Sequence, residues 1–144
     1  MQINLGYPAP EYEISMLHAQ AQSHPVDALT PVITQTDIVA MQFKVRSVTV
    51  SDPVSRYIVN IVNATRGDAR LKVGVSPRGS LMLFRAAQAA AFCAGRNYVL
   101  PDDVQRLAVP VLAHRIVLTS KAKYGGNGKG EVIADVINAV KVPT

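Results

Sequence analysis

The segment from residue 81 to residue 94 constrains the fold most strongly, because only Arg85 and Gln88 are polar in it. A helix that is apolar on nearly all sides has to be packed on several sides. The small side chains of its alanines let neighbouring helices approach closely; they include Ala86, Ala87, Ala89, Ala90 and Ala91. The segment therefore predicts the central helix of a helical domain.

Helical periodicity continues through most of the remaining chain. Glycines and prolines delimit the helices: we expect Gly95 to end the central helix and Pro110 to kink or break the helix in which it lies. Apolar spacing of three and four residues predicts further helices around residues 14–21, 38–48, 54–65, 104–112 and 132–140. We therefore predict an all-α fold, a small bundle of about six helices.

Three short segments predict extended backbone. The N-terminal "MQINL" alternates apolar and polar residues and stops at Gly6 and Pro8, which is typical of a half-buried strand. The residues that follow are helical and offer this strand no sheet. The segments "VTVSDPV" (48–54) and "YVLPDDV" (98–104) share an extended-then-helical form, and we expect their extended parts to pair with each other.

Composition limits the class of protein. With 144 residues and 49% hydrophobic residues, the chain can bury the core of one globular domain. Charged residues make up 17%, against about 25% in an average domain, which indicates that part of the surface is an interface. No N-terminal signal peptide and no apolar run of roughly 18 residues is present, so we expect a cytoplasmic protein with no membrane partner.

The sequence contains no complete catalytic or metal-binding motif. The glycine-rich loop at residues 124–130 is not a Walker A phosphate loop, because Lys129 is followed by Gly130 rather than by serine or threonine. The three histidines do not have metal-ligand spacing, and we predict no metal site. The chain by itself shows no catalytic apparatus.

Arg78 occupies an unusual place. In "VSPRGS", Ser76 is suited to the N-cap of a helix and Pro77 to the first helical position. Arg78 then falls in the first turn, where unpaired backbone N–H groups already carry a partial positive charge and acidic residues are the usual choice.

Two interpretations of Arg78 remain open. At about 100° per residue, Arg78, Arg85 and Gln88 lie on one side of the central helix, where they either reach solvent or pair with an acid. Alternatively, an anion binds at this helix N-terminus. Free N–H groups, a stiff turn at Pro77, the missing side chain of Gly79 and the forked guanidinium donors of Arg78 would all suit a phosphate.

Ordered blocks along essentially the whole chain resemble the C-terminal part of MoxR-type AAA+ ATPases. The blocks are "GYP", "PV" at residues 31–32, "YIVNIVNATR", "SPRGSL", "GRNYVLPDDV" and "PVLAHRIVL". The resemblance implies that residues 1–8 are the last strand of the nucleotide-binding core and the hinge after it, and that residues 9–144 are the helical lid domain. The N-terminal strand would then be left over from a core sheet that is missing from this chain.

The resemblance also implies a nucleotide site. Arg78 would be the sensor 2 arginine, a catalytic residue that reaches the γ-phosphate of ATP bound in the core. Ser76 would bind nucleotide beside it, and Gly6 and Tyr7 would lie near the adenine. ATP and Mg²⁺ are the cofactors expected for the full-length protein, whereas we expect neither to bind tightly to this chain alone.

Walker A, Walker B, sensor 1 and arginine finger residues are not found in this sequence. We therefore expect this fragment to be inactive alone and the longer parent protein to hydrolyse ATP. The partners implied are the AAA+ core of the same polypeptide, neighbouring subunits of a ring, expected to be a hexamer, and a von Willebrand factor A domain protein. The implied function is a lid that closes over ATP and couples hydrolysis to chaperone-like remodelling or assembly.

The alternative is a free-standing basic helical module that binds nucleic acid, suggested by the net charge of +5. It would place Arg66, Arg70, Arg78 and Arg85 against phosphates, with binding that weakens steeply as salt rises. Against it, the lysines and arginines form no run or stripe, so the lid interpretation includes no nucleic acid partner. A plain protein-interaction domain is the third interpretation.

Overall fold

The computed structural model describes residues 1–21 and 24–143, which form two compact units: Met1–Gln2 with the chain from Gln42 onwards, and Ile3–Met41. Two short strands are present, β1 (Leu71–Val73) and β2 (Val117–Leu118), together with 3-10 turns at Pro25–Ala28 and Ala113–Arg115. The described residues contain seven α-helices: α1 (Pro10–Gln20), α2 (Gln35–Arg46), α3 (Asp52–Gly67), α4 (Pro77–Cys93), α5 (Pro101–Leu112), α6 (Ser120–Tyr124) and α7 (Lys129–Ala139).

The larger unit is a helical bundle, as the sequence predicts. α4 packs against both α3 and α5, and α5 packs in turn against α7. Each of these helices places apolar residues on one face at three- and four-residue spacing, which buries them against its neighbours. The fully buried side chains of this core include Tyr57, Ile58, Ile61, Leu83, Val104, Leu112, Val132 and Ile133.

α4 is central but is not enclosed on all sides. Leu83, Ala87 and Ala91 are completely buried along one face, whereas half of Leu81 is exposed. The reason is that two neighbouring helices, α3 and α5, cover only part of the helix circumference. The last helical residue is Cys93, and Gly95 terminates the helix as predicted: its N–H donates to Phe92 O, and its φ of 72° turns the chain so that Arg96 N–H donates to Ala91 O.

Two short pairings brace the helices. The predicted pairing between the extended segments is confirmed: Thr49 N–H donates to Asn97 O over 2.9 Å, and Val99 N–H donates to Thr49 O over 3.0 Å. The second pairing, β1 with β2 in antiparallel order, has no counterpart in the sequence predictions. Segments of two and three residues are too short to show an alternating pattern.

The strand expected at "MQINL" is not formed: residues 1–9 carry no strand or helix. Alternation predicts which face of a strand would be buried, but a strand also needs a neighbour to pair with, and none of the described residues pairs with 3–5. Gln2 N–H donates to Pro110 O over 2.7 Å within the larger unit. Whether residues 1–8 belong to a core sheet stays a prediction.

Two details go beyond the sequence predictions. α6 is an additional helix of five residues, started by Thr119, whose hydroxyl accepts from Ala122 N–H; it is too short to give periodicity. Pro110 does not break α5, which continues to Leu112. Proline removes a single intrahelical bond so close to the helix end, and the buried side chains of Val111 and Leu112 favour completing the turn.

The smaller unit has no buried core, because every described residue from 3 to 41 is exposed. Its helices start on local signals. Thr34 is the N-cap of α2: Thr34 N–H donates to Asp37 Oδ2, and Asp37 N–H donates to Thr34 Oγ1. Hydrogen bonds from the Thr34 hydroxyl and N–H lower the pKa of Asp37. None of the helices in the described part of the chain is long and apolar enough to cross a lipid bilayer.

Candidate functional site

Arg78 lies exposed in the first turn of α4, as predicted. Ser76 is the N-cap residue with extended backbone, but its hydroxyl makes no capping hydrogen bond, and Pro77 fills the first helical position. Within residues 1–21 and 24–143, no group accepts a hydrogen bond or forms an ion pair with the Arg78 guanidinium. Pairing with an acid is therefore excluded for the described residues, and both cation and helix N-terminus face outward.

The turn before Arg78 is held by the end of α3. Val75 N–H donates to Thr65 Oγ1 over 3.0 Å, and Arg66 Nε donates to Val75 O over 2.9 Å. Both main-chain groups of Val75 are thus satisfied by two consecutive residues. The buried Thr65 hydroxyl in turn donates to Val62 O over 2.6 Å, so it cannot rotate away.

Glycine allows this close contact. A Cβ on Gly74 would lie 2.7 Å from Thr65 O and 2.8 Å from Arg66 Cα, which are backbone atoms that cannot move aside. Gly79 is buried, and a Cβ there would overlap Val75 Cγ1. In the anion-binding interpretation Gly79 admits a ligand, whereas in the structure its missing side chain is required by packing inside the domain.

The polar side of α4 separates into two parts. Gln88 is buried, donates through Nε2 to Val48 O over 2.7 Å, and accepts from Arg85 Nη1 over 3.0 Å. Arg85 and Gln88 therefore anchor the connection between α2 and α3. Although the sequence pattern placed Arg78 on the same side as these two, it shares no hydrogen bond with them.

A second arginine lies close to the first turn of α4. Arg115 is half-buried, its Nε donates to Val111 O over 3.0 Å, and its Cδ lies 3.7 Å from where a Cβ of Gly79 would be. Burial and the charge of Arg115 lower the pKa of the neighbouring His114. The sequence gives no sign that Arg115 lies near Arg78, because Arg115 follows α4 by more than twenty residues and belongs to no periodic stripe.

The other predicted nucleotide-binding residues lie in the smaller unit. Gly6 has a φ of 69°, its N–H donates to Asn4 Oδ1 over 2.9 Å, and Tyr7 is fully exposed. Residues 1–21 and 24–143 contain no group of three His, Cys, Asp or Glu residues that could hold a metal ion.

Three of the four arginines of the nucleic-acid interpretation have partners inside the domain. Arg66 binds Val75 O, Arg85 binds Gln88, and Arg70 forms ion pairs with Asp68 and Asp135 at 2.8 and 2.6 Å. These contacts leave Arg78 as the member of that set without a partner among the residues described. A phosphate-tracking surface needs several cations that are free to turn outward, so the structure disfavours this interpretation.

Comparison with known proteins identifies the domain. The AAA lid domain family model matches residues 63–137, which is more than half of the chain. The chain is 42% identical over 141 residues to the uncharacterized protein YeaC of Bacillus subtilis, covering 98% of this chain and 44% of YeaC. It is 32% identical over 150 residues to the chaperone MoxR1 of Mycobacterium tuberculosis, covering 98% and 39%.

A solved structure has the same fold. The crystal structure of a protein from Cytophaga hutchinsonii, provisionally described as an ATPase, superposes with a TM-score of 0.88 at 27% identity, covering all of this chain and 46% of that one. The chain thus spans less than half of the length of the relatives named here. The family match over residues 63–137 and the MoxR relatives show that this chain belongs to the AAA lid domain family, as a lid of the MoxR type.

Proposed function

We propose that this domain closes over ATP bound by a AAA+ core and that Arg78 is its sensor 2 arginine, which binds the γ-phosphate. The observation that carries the proposal is an exposed arginine without a partner among the described residues, fixed in the first turn of α4 beside a helix N-terminus. Neither the helix dipole nor an ion pair with a described residue explains a cation there, whereas a phosphate would pair with the guanidinium and suit the positive end of the helix dipole.

The chemistry asked of Arg78 is electrostatic. Phosphoryl transfer spreads negative charge over the equatorial oxygens of the γ-phosphate, and donors that are already in position stabilise that charge without reorganising. The guanidinium supplies two parallel N–H donors. The Ser76 hydroxyl, which makes no capping hydrogen bond, adds another donor two residues earlier. In this proposal the core binds ATP and Mg²⁺, and Gly6 and Tyr7 lie near the adenine at the hinge.

The wider role follows from the family. We propose that the domain works in a complete AAA+ ATPase of the cytoplasm, that neighbouring subunits form a ring, expected to be a hexamer, and that closure of the lid transmits hydrolysis to them. The name of the relative MoxR1 supports a chaperone-like role. A von Willebrand factor A domain protein as partner is the part of this proposal that rests on the resemblance alone.

The test is ATP turnover by the complete ATPase that carries this domain. Arg78→Ala should lower kcat about 100-fold, the low end of what a charge-stabilising arginine contributes. Arg78→Lys should recover only part of this loss, because an ammonium group lacks the forked donors. Arg56→Ala, at an exposed arginine of α3, is the matched control and should leave kcat unchanged. If Arg78→Ala turns over ATP at the normal rate, the proposal is wrong.

A further inference from the structure

The end of α3 fixes the main chain that leads into Arg78. Val75 is held at three points: its N–H by Thr65 Oγ1, its carbonyl by Arg66 Nε, and its side chain, which is 1% exposed, by the core. From Val75 to Arg78 only two residues intervene. Pro77 has its φ fixed by the ring, and Ser76 O accepts from Gly79 N–H over 2.8 Å.

The main chain that connects α3 to Arg78 therefore has few bonds left about which it can rotate. We propose that Thr65 and Arg66 are positioning residues, which set the place from which Arg78 reaches the γ-phosphate; this inference rests on the proposed function. Arg66 is itself oriented by its bond to Asn63 Oδ1 over 3.0 Å. The close approach of Gly74 to the backbone of Thr65 and Arg66 brings the two segments within hydrogen-bonding reach.

Arg66 is the more informative of the two residues. It is exposed, so the loss of its side chain leaves no cavity in the core, whereas Thr65 is completely buried. The hydrogen bond from Arg66 satisfies the carbonyl of the buried Val75 and fixes the direction of that carbonyl. Because a misplacement of about 1 Å can cost a large factor in rate, its loss should be visible in turnover.

The experiment is a double-mutant cycle in the complete ATPase, measured as ATP turnover at saturating ATP. Arg66→Ala should lower kcat about tenfold in the wild-type background. It should have no further effect in the Arg78→Ala background, since a residue that acts through Arg78 has nothing left to position. Arg56→Ala on the same helix serves as the control in both backgrounds and should change neither rate.

A second readout separates positioning from general damage. Arg66→Ala should leave the Kd for ADP unchanged, because ADP has no γ-phosphate. Thr65→Ser, which keeps the hydroxyl, should retain more turnover than Thr65→Val, which keeps the shape but removes the acceptor of Val75 N–H.

Three results would overturn the inference. These are an equal loss of kcat from Arg66→Ala in both backgrounds, a matching loss of ADP affinity, or normal turnover of Arg66→Ala while Arg78→Ala is impaired. Normal turnover of Arg78→Ala is a separate outcome, because it removes the proposed function itself and the inference with it.

Discussion

Asp103 is a buried carboxylate that needs its partners. Arg96 donates to both of its oxygens, over 2.8 Å to Oδ2 and 2.7 Å to Oδ1, and Leu100 N–H donates over 3.0 Å. Asp103 lies in the acidic first turn of α5. Burial acts to raise the pKa of Asp103, but the hydrogen bonds from Arg96 and Leu100 outweigh it and the pKa is lowered.

A lowered pKa has a defined effect on stability. The stabilisation by Asp103 is present above the unfolded-state pKa of about 3.9 and is lost as the pH falls through the lower folded-state pKa. Asp103→Asn should therefore cost about 2 kcal/mol in the free energy of unfolding at pH 7. The difference should shrink below about pH 3.9, as urea unfolding followed by circular dichroism would show.

Asp102→Asn is the matched control, because Asp102 is exposed in the same helical turn and has no side-chain hydrogen bond among those described. It should cost no more than about 0.5 kcal/mol through the helix dipole. An equal cost for both variants would contradict the role given to Asp103.

At the scale of elements, the start of α4 meets the end of α5 through a glycine. Gly79 faces Val75 and lies near Leu112, with 3.6 Å between its ideal Cβ position and Leu112 Cδ2. Val75 is β-branched and buried, so its Cγ1 cannot swing away from an added methyl group. Because Gly79 has no side chain, α4 can pack closely against Val75 and the end of α5, and any larger residue at this position would push them apart.

Gly79→Ala should destabilise the domain by about 1–2 kcal/mol, the cost of overpacking less the gain in helix propensity. Thermal unfolding would measure it. Gly67→Ala is the control: Gly67 ends α3, a Cβ there meets nothing within 4 Å, and its φ is not positive. That variant should be neutral or more stable by up to about 1 kcal/mol. A stable Gly79→Ala variant would show that the turn at Val75 adjusts freely.

At the scale of the whole molecule, the two units differ in what holds them. α3, α4, α5 and α7 bury a common core, whereas the described residues from 3 to 41 bury nothing. Isolated helices of 11 or 12 residues, the lengths of α1 and α2, are marginal in water.

Hydrogen exchange measured by mass spectrometry should therefore divide the chain. Amides in the four core helices should exchange at least about 100-fold more slowly than those of residues 10–41, because their opening requires disruption of the core. Comparable protection in both regions would mean that the smaller unit is stabilised by more than its local hydrogen bonds.

Much of the fold and part of the site could be predicted from the sequence. Helical periodicity located six of the seven helices in the described residues, and Gly95 located the end of the central one, because these signals act within a few residues. Local sequence also identified Arg78 as unusual, because it places a cation in the first turn of a helix, where the helix dipole favours an acidic residue. The continuation of α5 past Pro110 could not be predicted, because it depends on the tertiary packing of the residues after the proline.

By itself, then, the sequence determined the helical class, the central position of α4 and the exposed arginine at its start. Only the tertiary structure decided what holds that arginine in place and what Gly79 is for. The physical reason is distance along the chain: the bonds from Thr65 and Arg66 to Val75, and the approach of Gly79 to Leu112, join residues that are about ten to more than thirty positions apart. Local patterns carry no record of such contacts, because they exist only once the helices have packed.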